Sequence, residues 1–308
     1  MPTAAPWRAP FLTHLSHLPT TPTFTLATLH PAPQSESPSA ALPCLPRART
    51  CVFRGLWAAP FPTTRSPSSS SSSGSHQPQL QLNPPLFESD LPVFTTDART
   101  DKATEIFDSA AAGDVEASGG ATGGGGPVEA VFWVDVNNNN NNKAGVVRTQ
   151  WRVRGHAWVL AGGDVDSLEG EGPRRARGVL RGRMRKVRGQ DGEEEEEGWS
   201  FAKEVAAHFG HLTPLMRGSF RGPPPGTPVA YHTEKGEGVG QRLDDLEDEV
   251  ARRNFRVVVI VPDEVDQVDL SDELRPRRWL YVYRGVGGVS KLPGGEIIGE
   301  WEKVEVWP

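Results

Sequence analysis

The run Asn254-Phe255-Arg256-Val257-Val258-Val259-Ile260-Val261 constrains this chain more than any other stretch. Consecutive β-branched residues crowd a helix and suit a pleated strand, so the run reads as a strand. Other segments repeat the message. Thr23 to Leu29 alternates polar and apolar at period two, and Arg47 to Trp57 carries Thr50, Cys51, Val52 and Phe53 at its centre. Val128 to Val136, Val146 to Leu160, Val265 to Leu270, Arg278 to Arg284 and Trp301 to Trp307 read the same way, with Leu91 to Phe94 as a shorter strand. Helical spacing appears in Pro6 to Leu18, from about Lys102 to Ala112, and in Trp199 to Gly210, where Trp199, Val205, Ala206 and Phe209 form the apolar stripe. Strands that follow one another at hairpin spacing disfavour a doubly wound parallel sheet. The expected class is mainly β with peripheral helices (α+β), an antiparallel barrel.

Low-complexity segments separate these elements. Near 60–86, 112–126, 137–145, 162–198 and 222–242 the chain holds few apolar residues, with a serine run at Ser68 to Ser73 and an asparagine run at Asn137 to Asn142. Such segments bury too little to order themselves, so they are expected to be disordered growths on the loops of one domain spanning 1–308. They also explain a hydrophobic content of 36%.

A net charge of −6 argues against nucleic acid or an anionic membrane as partner. The basic run Arg174 to Arg188 is followed by Glu193 to Glu197 and interleaves no aromatics, so it reads as a solvated, self-neutralising insert. The two cysteines, Cys44 and Cys51, form no disulfide framework or metal spacing, which fits a reducing, cytoplasmic compartment. No apolar run approaches the length of a membrane span, and no secretory leader pattern opens the chain. His208 and His211 lack a nearby third ligand, so no metal site is expected. Gly123 to Gly126 reads as linker, since no Gly-Lys-Ser/Thr follows.

The stretch with chemistry is Leu91-Pro92-Val93-Phe94-Thr95-Thr96-Asp97-Ala98-Arg99-Thr100-Asp101-Lys102. A short strand empties into hydroxyls, then two bases, then a helix start that Thr100 or Asp101 can cap. Hydroxyls, cations and free helix N–H groups together favour an anion such as phosphate. A solvated turn before an ordinary capped helix explains the stretch equally well.

Taken with Arg49-Thr50-Cys51-Val52-Phe53-Arg54 and Thr149-Gln150-Trp151-Arg152-Val153-Arg154-Gly155, this stretch resembles the pyridoxamine 5′-phosphate oxidase family of split-barrel flavoproteins, in particular its fungal oxidase-like branch. The resemblance implies FMN as cofactor, a flavin-dependent oxidoreductase, a split barrel and a homodimer with flavin at the interface. It implies that the strand Arg49, Thr50, Cys51, Val52 grips the cofactor, with Arg49 on the ribityl phosphate. It places Arg54 near flavin and substrate, Thr95 and Thr96 against the flavin, and Lys102 on the phosphate. Asp101 stands where the family has Arg, and Arg99 is its expected substitute. Gln150 would hydrogen-bond the ring, and Arg278 before Trp279 would contact it from the C-terminal region.

The departures bear on the reaction. Aligned on Arg278, Leu274 and Pro276 occupy the positions of an Arg and a His that hold pyridoxamine in the oxidases proper. Arg275 is adjacent, but in a strand it would face the other way. The expected outcome is a kept flavin site and a lost vitamin site, with the substrate unknown. Two alternatives remain: an FMN-binding sensor or carrier, and an interaction module with a decayed flavin site.

Overall fold

The computed structural model describes residues 2–31, 44–59, 81–110, 122–137, 145–187, 198–231 and 240–308. In chain order its elements are α1 (Arg8–Ser16), β1 (Thr23–Pro31), β2 (Cys44–Val52), β3 (Phe87–Ser89), β4 (Val93–Asp97), α2 (Asp101–Asp108), β5 (Gly123–Asn137) and β6 (Val146–Leu160). There follow α3 (Glu171–Arg181), β7 (Met184–Lys186), α4 (Phe201–Gly210), α5 (Pro214–Ser219), α6 (Glu249–Asn254), β8 (Phe255–Asp269), β9 (Arg277–Tyr283), β10 (Glu296–Ile298) and β11 (Trp301–Val306). The main sheet is antiparallel and runs β10-β11-β9-β8-β6-β5-β1-β2, with β4 branching from β8.

β8 organises the sheet. Its first half lies between β4 and β6, and its second half between β6 and β9. The exchange of neighbours falls beside a bulge, where Arg154 faces Glu264 but Gly155 faces Pro262. Only glycine fits there, because a Cβ on Gly155 would stand 2.0 Å from the Val261 carbonyl oxygen. The sheet therefore splits at β8 instead of closing.

Two apolar cores cover the two faces. Trp7, Phe11, Phe24, Phe94, Phe132 and Trp151 fill one, with Phe11 edge-on to Phe132 at 5.0 Å and to Trp151 at 5.5 Å. Trp57, Phe201, Val205, Phe209, Phe255 and Val257 fill the other, under α4. From Val257 to Val261 β8 is buried on both faces, which is why that run is continuously apolar instead of alternating. Among the described residues no apolar layer covers the remainder of the second face. There Trp133, Gln150, Val268 and Arg278 form one row across β5, β6, β8 and β9, and Trp133 is 47% exposed.

Several expectations need correction. Residues 254–261 and 265–270 are one strand, β8, carried through the bulge. Within 162–198, residues 171–186 are not a disordered insert: they form α3 and β7, with Ala176, Leu180, Met184 and Arg185 buried. Gly123 to Gly126 is not linker but the start of β5. Its glycines let α2 pack closely; a Cβ on Gly126 would meet the Ile106 carbonyl oxygen at 2.4 Å. Leu86, placed in the 60–86 insert, is buried. Asp244 to Asp248 precede helix α6, and Asp248 caps it. The serine run, Asn138 to Asn142 and Glu193 to Glu197 lie outside the described residues.

Candidate functional site

β4 delivers Thr96 to the face that carries Phe94, and the chain turns at Ala98 to Thr100 into α2. Thr100 takes the cap position, but its hydroxyl donates to the Asp97 carbonyl instead of accepting from the helix, and it meets the Thr96 hydroxyl at 3.1 Å. Lys102, in the first turn, reaches back and donates to the Thr96 hydroxyl at 3.1 Å. Among the described residues no carboxylate lies within ion-pair distance of Lys102. On β2, Arg49 and Cys51 point to the same face, since they oppose the buried Leu26 and Phe24. Arg49 donates to the Thr28 hydroxyl and to Glu105 of α2, the latter at 2.5 Å.

The charges are mutually felt. Burial pulls the Lys102 ammonium below the ordinary lysine range; Arg49 adds to this, while Cys51, Asp97 and Glu105 oppose it. Burial pushes the Cys51 thiol up, against the pull of Lys102 and Arg49. Burial alone would raise the Glu105 carboxyl, but the Thr28 hydroxyl, the Arg49 charge and bonds from Arg49 and His30 outweigh it, so the group is held low. Two cations, two threonine hydroxyls and a helix N-terminus thus share one partly buried corner, a donor set that fits a phosphate.

The other expected residues are placed elsewhere. Arg99 turns onto the Asp97 carboxylate and the carbonyls of Gly222 and Phe220, so it does not replace the missing base at position 101. Arg54 lies toward α4 and α5, where it approaches the Met216 sulfur at 3.6 Å and its Nε is buried without a partner among the described residues. Thr95 alternates to the face opposite Thr96. Thr50 and Val52 likewise face away from Arg49 and Cys51. Gln150 and Arg278 stand on the bare second face, where Arg278 is gripped by Asp266 at 3.0 and 2.8 Å. Leu274 to Pro276 belong to the turn between β8 and β9, not to a strand, so strand alternation does not decide where Arg275 points.

Sequence reasoning missed Thr28, His30, Glu105 and Asp266. Two signals were present. Glu105 follows Lys102 by three positions on a helix, which sets both on one face. Thr28 falls in register with the buried positions of β1. His208 is buried with its ring parallel to Trp57. No group of three or more metal-ligating side chains occurs among the described residues.

An open antiparallel sheet with a few helices defines a split-barrel fold, and its cations and hydroxyls gather where β4 runs into α2. Residues 4–161 match the family model described as pyridoxamine 5′-phosphate oxidase, FMN-binding domain, and the chain belongs to that family. Among solved structures it is similar to a pyridoxamine 5′-phosphate oxidase-related, FMN-binding protein from Nostoc punctiforme PCC 73102, at 18% identity and a TM-score of 0.53, covering 99% of this chain and 100% of that one. PhzG from Burkholderia lata 383, in complex with tetrahydrophenazine-1-carboxylic acid, aligns at 11% identity and a TM-score of 0.39, covering 100% and 94%. No curated protein sequence matches. No helix among the described residues is long and apolar enough to cross a membrane.

Proposed function

We propose that this protein binds FMN, with its phosphate held by Arg49, Lys102, Thr96 and Thr100, and that it acts as a flavin-dependent oxidoreductase. The observation that carries the reading is the convergence of Arg49 from β2 and Lys102 from α2 on one hydroxyl-lined corner. Bound FMN would supply two-electron chemistry; the chain's own residues would bind, orient and shield it. Leu274 is 92% exposed in a turn, and neither it nor Pro276 offers a side-chain donor for a phosphorylated pyridine. This supports a substrate other than pyridoxamine 5′-phosphate, or a carrier without turnover. The purified protein is expected to be yellow, absorbing near about 450 nm, and to form pyridoxal phosphate or peroxide from pyridoxamine 5′-phosphate only marginally. A colourless protein that takes up no added FMN defeats the binding claim. Turnover comparable to a true oxidase defeats the substrate claim. Flavin reduction by some other donor would separate enzyme from carrier.

We further propose that the flavin sits between two copies of the chain. Arg49 and Gln150 lie on opposite faces of the sheet, with β1 and β5 between their strands, roughly 14 Å apart at about 4.8 Å per strand. One chain cannot present both to one flavin. A second copy laid on the bare face of β5, β6, β8 and β9 could bring its Gln150 and Arg278 to the first copy's phosphate corner. That face carries the exposed Trp133 and the half-buried Val268 and Leu280, an apolar surface that calls for cover. Light scattering is expected to give twice the 33.5 kDa chain mass. A monomer that retains FMN overturns the arrangement.

A further inference from the structure

Glu105 has no assigned role in the site, yet it is the most deeply buried charge in it, 2% exposed in the second turn of α2. Its neighbours on the helix, Ala103, Ile106 and Phe107, pack into the apolar core. A carboxylate is a costly choice there, since packing alone would be served by Leu or Met. Both of its oxygens are committed. Oε2 accepts from the Thr28 hydroxyl and from Arg49 Nη2 at 2.5 Å, and Oε1 meets His30 Nδ1 at 3.0 Å. Arg49 itself stands on β2, the last strand of the sheet among the described residues, with no further described strand beside it to confine its long side chain. Thr28 and the Arg47 carbonyl take Nη1. Among the described residues this leaves Nε–H and one Nη2–H, two of the five guanidinium donors, for a ligand oxygen.

We infer that Glu105 is a positioning residue, which with Thr28 locks Arg49 in the orientation that meets the FMN phosphate. The inference rests on the flavin reading above. A free arginine on an edge strand would lose rotamer freedom when it bound an anion; Glu105 removes that cost in advance. Its negative charge would by itself repel a phosphate, so its effect should change sign according to whether Arg49 is present.

The test is FMN binding by equilibrium dialysis to the full chain, for wild type, Glu105→Gln, Arg49→Ala and the double variant. Glutamine keeps the shape and one acceptor but loses the charge. With Arg49 present, Glu105→Gln is expected to weaken FMN about tenfold. In the Arg49→Ala background it should cost nothing or tighten binding. An equal loss in both backgrounds, or a gain with Arg49 present, overturns the inference. Thr28→Val, which removes only the hydroxyl partner, should show the same dependence on Arg49 at smaller size. A flavin-free readout stands beside this: 15N relaxation of the Arg49 Nε–H group. It should report an ordered side chain in wild type and a mobile one in Glu105→Gln. Equal order in both overturns the positioning role. Failure of wild type to bind FMN, with Arg49 mobilised by the substitution, overturns the flavin reading alone.

Discussion

Replacing Arg49 and Lys102 together with alanine is expected to release FMN on dialysis, with affinity lowered by two to four orders of magnitude. Each side chain would make a charge-assisted bond to the phosphate, worth about 1.5–3 kcal/mol. Two such losses total about 3–6 kcal/mol, and about 1.4 kcal/mol is tenfold in affinity. The two substitutions differ in their effect on the fold. Lys102 leaves behind only the Thr96 hydroxyl, which keeps its contact with Thr100. Arg49 leaves Glu105, 3% exposed at its side chain, with only Thr28 and His30 as partners among the described residues. The Arg49 variant should therefore also melt earlier, whereas Lys102→Ala should lose flavin at nearly unchanged melting temperature. Flavin fluorescence after dialysis, read beside a thermal melt, separates the two effects. A double variant that stays fully flavinated would place the phosphate elsewhere.

What could be read in advance follows from how local each signal was. β6 has the bounds that its alternation indicates, Val146 to Leu160, because one face is core along its whole length. The joining of 254–261 to 265–270 was hidden by Pro262 and Asp263, which look like a strand end but sit in a bulge that Gly155 makes possible. α3 was concealed by its own arginines. Its buried stripe is only Ala176 and Leu180 with Gly172 and Pro173, while Arg177 bonds the Val165 carbonyl and Arg181 lies over the Phe87 ring at 3.8 Å. In the site, the turn from Thr96 to Lys102 was legible because its parts adjoin in sequence. Which face each residue takes was legible too, in principle, from alternation: Arg49 with Cys51, Thr50 with Val52. The partners were not. Glu105 reaches Thr28 and Arg49 across 77 and 56 positions of chain, and Arg99 was free to be counted as a phosphate ligand until Asp97, Phe220 and Gly222 claimed it.

Acid should destabilise the protein well above the carboxylate range, and His208 is the reason. Its side chain lies in the core under α4, 3% exposed, with its ring parallel to Trp57 at 6.0 Å. Burial pushes its pKa down to about 3, and the nearby His211 and Arg54 act in the same direction. An unfolded histidine titrates near about 6.5. Between these values the unfolded chain takes up a proton that the native state refuses, so stability falls as pH falls through that window. Each pH unit costs about 1.4 kcal/mol where the group is fully linked, or about 2–3 kcal/mol between pH 6.5 and 4.5. Neighbouring groups modify the profile. His14, which accepts a bond from Trp151 Nε1 at 3.2 Å, is also held low, chiefly by burial, and adds in the same direction. Glu204, one turn before His208, is raised by burial against its bonds to Asn83 and the Ala58 backbone. Its native form holds a proton more readily than the unfolded chain does, so Glu204 offsets part of the loss as pH falls. Glu302, held down at about 2 by Ser290, Arg284 and the Leu292 and Lys291 amides against its burial, contributes only below the unfolded carboxylate range of about 4.3. Urea denaturation at pH 7 and pH 4.5 gives the measurement, with wild type compared against His208→Gln. The variant starts less stable, since a smaller polar group replaces a packed ring. Its stability should then change much less over the same interval, with the remainder due to His14, Glu204 and the carboxylates held low, Glu105 and Glu302 among them. If wild type and His208→Gln lose the same free energy between pH 7 and 4.5, His208 is not the group that makes this protein acid-labile.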